Sequence, residues 1–178
     1  SEFNGKRDAI EAAALGDCVI LLRPVRGTPE PVLLSQARWL RSRFGGRCWL
    51  VVELHNALDD AIWLRTLRAV GVAARVPLVA AGDVHMHVRS RQPLQDALTA
   101  IRLGQPLSAC GLALSPHAER HLRSRLRLAQ RYPAELLAET LKVAERCDFS
   151  LAELRYEYPD EIVPTGQTPT THLRKLAE

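Results

Sequence analysis

Three short apolar runs constrain this chain more than any other feature. They are Cys18-Val-Ile-Leu-Leu22, Cys48-Trp-Leu-Val-Val-Glu-Leu54 and Pro77-Leu-Val-Ala-Ala81. A strand that is apolar at nearly every position must be covered on both faces. Each run is followed by a stretch whose apolar residues recur at helical spacing. Leu33, Ala37, Leu40 and Phe44 form one stripe, closed by Gly45-Gly46. Trp63, Leu67, Val70 and Ala74 form the next, after Asp59 and Asp60, whose charge suits a helix start. Strand–helix alternation predicts an α/β fold with parallel strands and right-handed crossovers. Three such strands do not close a barrel, but they can be part of one.

A third helix is expected from Ser90 or Arg91, with Pro93 in its first turn and Leu94, Ala97, Leu98 and Ile101 facing inward. Upstream, Asp8 to Leu15 reads as a helix tail stopped by Gly16. Beyond Gly104 the periodicity fades, and 107–116 reads as loop. Ser124 is placed to cap a short helix to Arg131. Pro133 opens a longer one to about Cys147, with Leu137, Leu141 and Ala144 on one side. Arg155 to Gln167 carries Pro159, Pro164 and Gly166 and reads as an extended connector, before Thr168 caps a last helix with Pro169 in its first turn. The pattern divides the chain into an α/β part, 1–115, and a helical part with connector, 116–178. The chain starts without Met, Ser1-Glu2-Phe3 reads as a cloning scar, and it ends within a helical pattern, so a longer parent is expected. Unpaired strand edges in such a piece predict association or marginal stability, to be read by sedimentation.

Composition excludes several classes. The formal charge is +4, carried almost wholly by arginine; Lys6, Lys142 and Lys175 are the only lysines. That mild excess permits nucleic-acid contact without demanding it. Cys18, Cys48, Cys110 and Cys147 are too far apart for a Cys-x-x-Cys motif, so free thiols in a reducing compartment are expected. No apolar run approaches the roughly 20 residues of a membrane helix, and no signal peptide is visible, so a cytoplasmic location is expected. Phosphate loop, serine elbow and His-Glu-x-x-His motifs are lacking.

Chemistry concentrates where the third strand ends. Gly82 interrupts the run, and Asp83, His85 and His87 follow. In α/β sheets ligands bind past the carboxyl ends of strands. An Asp-x-His pair there offers a hard oxygen and an imidazole, a set that suits Zn, Mn or Fe. The plainer reading is a capping Asp and two loop histidines. Glu53 and His55 end the second strand at the same level, and with His87 could support the Asp83–His85 pair. Glu53 could equally form an ion pair with an arginine. Arg89 and Arg91 could hold a phosphate or, more commonly, be solvated loop residues, and the run Arg120, Arg123, Arg125, Arg127, Arg131 could lie along a nucleic-acid backbone through Arg123 and Arg127. Such a run is more often a solvated face. No nucleophilic or general-base residue stands out as catalytic.

Pro77-Leu-Val-Ala-Ala-Gly-Asp-Val-His85 followed by Leu94-Gln-Asp-Ala-Leu-Thr-Ala-Ile-Arg-Leu-Gly104 resembles the last strand and helix of a PHP domain, the polymerase and histidinol phosphatase type found in bacterial family C DNA polymerase alpha subunits. Tyr132-Pro-Ala-Glu-Leu-Leu-Ala-Glu-Thr-Leu-Lys-Val-Ala-Glu-Arg-Cys147 resembles the helix that follows it. Gly82 to Arg91 and Leu154 to Pro164 are similar to the error-prone, damage-inducible branch. The resemblance runs from about Asp17 to the end. It implies part of a distorted (β/α) barrel, followed by a connector toward a polymerase palm that is absent here. It implies a parent that synthesises DNA in damage tolerance and repair, with Mg held by palm carboxylates outside this chain. DNA and the rest of the polymerase chain are then the partners, with no membrane involved. Asp83 and His85 match the final ligand pair of the family, so Zn or Mn at a vestigial site is implied. Where other PHP domains place a His or Cys after the first of these strands, this chain has Arg23-Pro24-Val25. That departure implies a degenerate, structural site. The rival expectation is a stand-alone PHP-type phosphoesterase using Asp83 and His85.

Overall fold

The structure is a computed structural model that describes residues 15–16, 18–154 and 163–178. The expected helix tail over Asp8 to Leu15 lies outside the described residues except for Leu15, and so does most of the expected connector. The chain forms two compact units, one ending at Cys147 and one beginning at Asp148.

In the first unit the order is β1 (Ile20–Leu22), α1 (Glu30–Phe44), β2 (Cys48–Val52), α2 (Asp60–Ala74), β3 (Leu78–Ala80), α3 (Gln92–Leu103), α4 (Arg125–Arg131) and α5 (Ala134–Ala144). The strands form one parallel sheet in the order β1-β2-β3, with Leu22 beside Leu50 and Val52 beside Ala80. Every residue of β2 is buried. Its alternate side chains therefore need two different covers. Cys48, Leu50 and Val52 join the stripes of α1 and α2: Leu33, Ala37, Leu40 and Phe44 from one, Trp63, Leu67, Val70 and Ala74 from the other. Trp49 and Val51 join Val79 on the opposite side, against Val143 of α5. Close approach shapes this core at Gly71, where a Cβ would stand 2.2 Å from Leu78 Cδ1 and 2.9 Å from the Val76 carbonyl oxygen.

One expected face is corrected, that of α3. On α3, Leu94, Leu98 and Ile101 are exposed by 53%, 53% and 74%, and the buried residues are Thr99 and Ala100. Periodicity reveals a stripe, but not which side of a helix is covered. On α5, Leu141 and Ala144 are exposed, Leu137 is only half-buried, and Leu136 is the buried residue. Leu136, Glu139 and Val143 lie on the side toward the sheet, where Trp49 Nε1 donates to Glu139 Oε1 at 2.9 Å.

Past β3 the chain makes a short parallel contact. Met86 bridges His121, with the Met86 N–H donating to the Arg120 carbonyl at 3.2 Å and the Leu122 N–H to the Met86 carbonyl at 3.1 Å. This brings the segment 117–123 to the carboxyl end of the sheet. In the second unit α6 (Pro169–Ala177) is capped by Thr168, whose hydroxyl accepts from the Thr171 N–H. Among the described residues no helix is long and apolar enough to cross a membrane.

Candidate functional site

The ends of all three strands bring charged groups to one edge. Arg23 follows β1, Glu53 and His55 follow β2, and Asp83 and His85 follow β3. Arg120 arrives from the segment bridged to Met86. Asp83 has φ +42°, a left-handed backbone that Asp tolerates better than most residues. Its Oδ1 accepts from His85 Nε2 at 3.1 Å. Its Oδ2 lies 3.2 Å from Arg120 Nη1 and 3.4 Å from Arg23 Nη2. Those two contacts are ionic and lack the alignment of a hydrogen bond, since Oδ2 and Arg120 Nε are buried without hydrogen-bond partners. Arg23 Nε also reaches Glu53 Oε1 at 2.8 Å. Burial pushes the Asp83 carboxyl upward, but the Arg120 and Arg23 guanidiniums and His85 outweigh it and hold the group below the usual carboxylate range.

The histidines are engaged differently. His55 Nε2 donates to the Gly82 carbonyl at 3.0 Å, and its ring stands 5.8 Å from that of His117. Burial lowers the His55 pKa and favours the neutral ring, against the Gly82 hydrogen bond. His85 directs Nε2 to Asp83, and the Gln95 amide lies 3.5 Å from its Nδ1. His87 is exposed and has no hydrogen-bond or ionic partner among the described residues.

A metal here would need lone pairs converging on one point. Here the donors are directed to other partners. Both carboxylates face guanidiniums, His55 faces a backbone carbonyl, and the His85 nitrogen nearest Asp83 carries the shared hydrogen. Among the described residues no group of three or more His, Cys, Asp or Glu side chains is placed to hold one ion. Sequence reasoning found Glu53, Asp83, His55 and His85 as neighbours and allowed Glu53 an arginine partner. It did not find Arg120 at this site, because the contact depends on a bridge between segments 35 residues apart.

A second carboxylate, Glu119, organises a neighbouring cluster. It receives Arg89 Nη2 at 2.7 Å, Arg123 Nη2 at 2.9 Å and Asn56 Nδ2 at 2.9 Å, with Arg131 Nη2 at 3.7 Å. Burial raises the Glu119 pKa, and the Arg123 hydrogen bond with the Arg89, Arg123 and Arg131 charges lowers it further than burial lifts it. Arg123, expected on a nucleic-acid face, is only 3% exposed and is held by Glu119. Arg127, its companion in that expectation, is exposed and its guanidinium has no partner among the described residues. Arg91 is exposed as well. Tyr132 ties the strand ends together: its hydroxyl accepts from the Leu54 N–H at 3.2 Å and donates to the Ala81 carbonyl at 2.8 Å.

No family model matches this chain. Its similarity to curated proteins is extensive and continuous. An "Error-prone DNA polymerase" of Dechloromonas aromatica is 52% identical over 167 residues, covering 94% of this chain and 16% of that protein. One of Methylococcus capsulatus is 49% identical over 175 residues, 98% of this chain and 16% of the relative. One of Pseudomonas savastanoi is 46% identical over 177 residues, 99% and 17% respectively. The chain thus matches a stretch of error-prone DNA polymerases and spans about a sixth of their length.

Proposed function

We propose that this chain is a non-catalytic, PHP-type portion of an error-prone DNA polymerase. The observation that carries the reading is identity of 46–53% over 94–99% of the chain to proteins of that name. The parent would copy DNA by nucleotidyl transfer in damage tolerance and repair, and a cytoplasmic location follows from that work. Its Mg-binding carboxylates would lie outside this chain. The three-stranded parallel sheet is consistent with part of a (β/α) barrel whose remaining strands belong to the parent.

At the strand ends, Arg23 and Arg120 contact Asp83, a residue the resemblance would make a metal ligand. Each guanidinium brings positive charge to the carboxylates, so charge balance at Asp83 and Glu53 needs no ion. The role of Asp83, His85, Glu53 and His55 in this reading is to tie strand ends together. The same geometry weighs against a stand-alone phosphoesterase, which would need Asp83 and His85 available to activate water. Primer extension tests the proposal. The longest protein carrying this sequence should extend a primer on a damaged template, and the 178-residue chain alone should not. A parent that fails to extend any primer overturns the reading.

A further inference from the structure

Arg127 and Arg131 lie four residues apart, the spacing that stacks side chains on one helix face, and Arg123 stands four residues before them. Arg123 leads into α4 and the other two lie on it. Like charges at this spacing repel one another. Arg89 approaches the same face from the turn Arg89–Arg91, and together the four line a cleft of about 440 Å³ with Asn56 and Gln130. Two carboxylates answer these four cations. Glu119 binds three of them, and Asp60, at the cleft wall, is already held by Arg26 at 2.6 Å. The cleft therefore keeps an excess of positive charge. Each guanidinium has five N–H donors, and most of those on Arg89 and all of those on Arg127 have no acceptor among the described residues.

We propose that this cleft binds the phosphodiester backbone of a nucleic-acid strand. Guanidinium forks match phosphate oxygens, and Glu119 holds Arg89 and Arg123 in place before any ligand arrives. His121 is the only ring in the lining, so the site offers little for base stacking and would read backbone charge without regard to sequence. Glu119 sets the positions of Arg89 and Arg123, and Arg127 supplies a charge that no described residue neutralises. The choice of nucleic acid over other polyanions rests on the polymerase reading above.

The test is fluorescence anisotropy of a labelled oligo(dT) strand with the full 178-residue chain across a salt series, with Arg127→Gln and, as a control on α1, Arg38→Gln. Both side chains are exposed, and circular dichroism verifies that each variant keeps its fold. Arg127→Gln should weaken binding and reduce the slope of log affinity against log salt by about 0.7, the share of one phosphate contact on a single strand. Arg38→Gln should leave the slope unchanged. An unchanged slope in Arg127→Gln, an equal reduction in Arg38→Gln, or stabilisation by inorganic pyrophosphate without oligo(dT) binding each overturns the proposal. Primer extension by the parent is read separately, so a failed cleft and a failed polymerase reading give different results.

Discussion

Asp83→Asn isolates the charge at the strand ends. Asparagine keeps the shape, can still hydrogen-bond His85, and tolerates the left-handed backbone at φ +42°. What disappears is the anion facing two guanidiniums at 3.2 and 3.4 Å. Exposed ion pairs contribute about 0.2–1 kcal/mol, and truncating one partner of a fully buried pair costs about 3–5 kcal/mol. The Asp83 side chain is 23% exposed and Arg120 27%, so that contact falls between these limits; Arg23, at 57%, belongs near the lower one and keeps Glu53 in any case. The expected loss is about 1–2 kcal/mol, measured by urea denaturation at pH 7 with an unchanged m value. The pH dependence gives a second constraint. The folded carboxyl titrates below its unfolded value of about 3.9, so its contribution is fully present above that value and disappears as pH falls through the folded one. The gap between native and Asp83→Asn proteins should therefore close in acid. A loss below about 0.5 kcal/mol at pH 7, or a gap that widens as the pH drops, refutes the charge-pairing account.

Three further outcomes are expected. Metal analysis by mass spectrometry should find no stoichiometric Zn or Mn beyond that of an Asp83→Ala/His85→Ala control, and added Zn should not raise the urea midpoint; a raised midpoint would return Asp83 and His85 to a ligand role. Tyr132→Phe removes partners from the buried Leu54 N–H and Ala81 carbonyl and should cost about 1–3 kcal/mol in the same denaturation assay. Leu67→Ala in the core should cost about 2–5 kcal/mol, while Leu98→Ala on the exposed face of α3 should stay within about 0.5 kcal/mol; similar losses at both would mean the α3 stripe is covered after all.

What could be read from sequence was whatever depends on local pattern. The stripes of α1 and α2, the helix starts at Ser124 and Thr168, and the meeting of Glu53, His55, Asp83 and His85 all follow from periodicity, capping and the polarity of parallel strands. The inward face of α3 was misread because Leu94, Leu98 and Ile101 form a good stripe whichever side is covered. The hydrogen bond from Trp49 to Glu139, 90 residues apart, has no local signature in the sequence. Arg120 and Glu119 were invisible as partners of the strand ends for the same reason. Ion pairs across long separations carry no periodic signature.

Those long-range pairs also divide the unit into parts with different physics. Of residues 105–124, only Cys110 and His121 are buried, so apolar packing contributes little to holding this segment. Arg120 on Asp83, Glu119 under Arg89 and Arg131, and the backbone bridge at Met86 fasten it instead. The sheet with α1 and α2 is fastened by burial, which salt does not screen. At about 1 M salt the screening length shrinks to about 3 Å, comparable to these contacts, and the partly exposed pairs weaken. Local opening should follow the weaker bonds. Native-state hydrogen exchange should then show amides of 117–123 losing protection as salt rises while those of Cys48–Val52 keep theirs. Equal salt sensitivity in both segments would mean that charge does not fasten the loop, and the strand-end arginines would lose their structural assignment along with it.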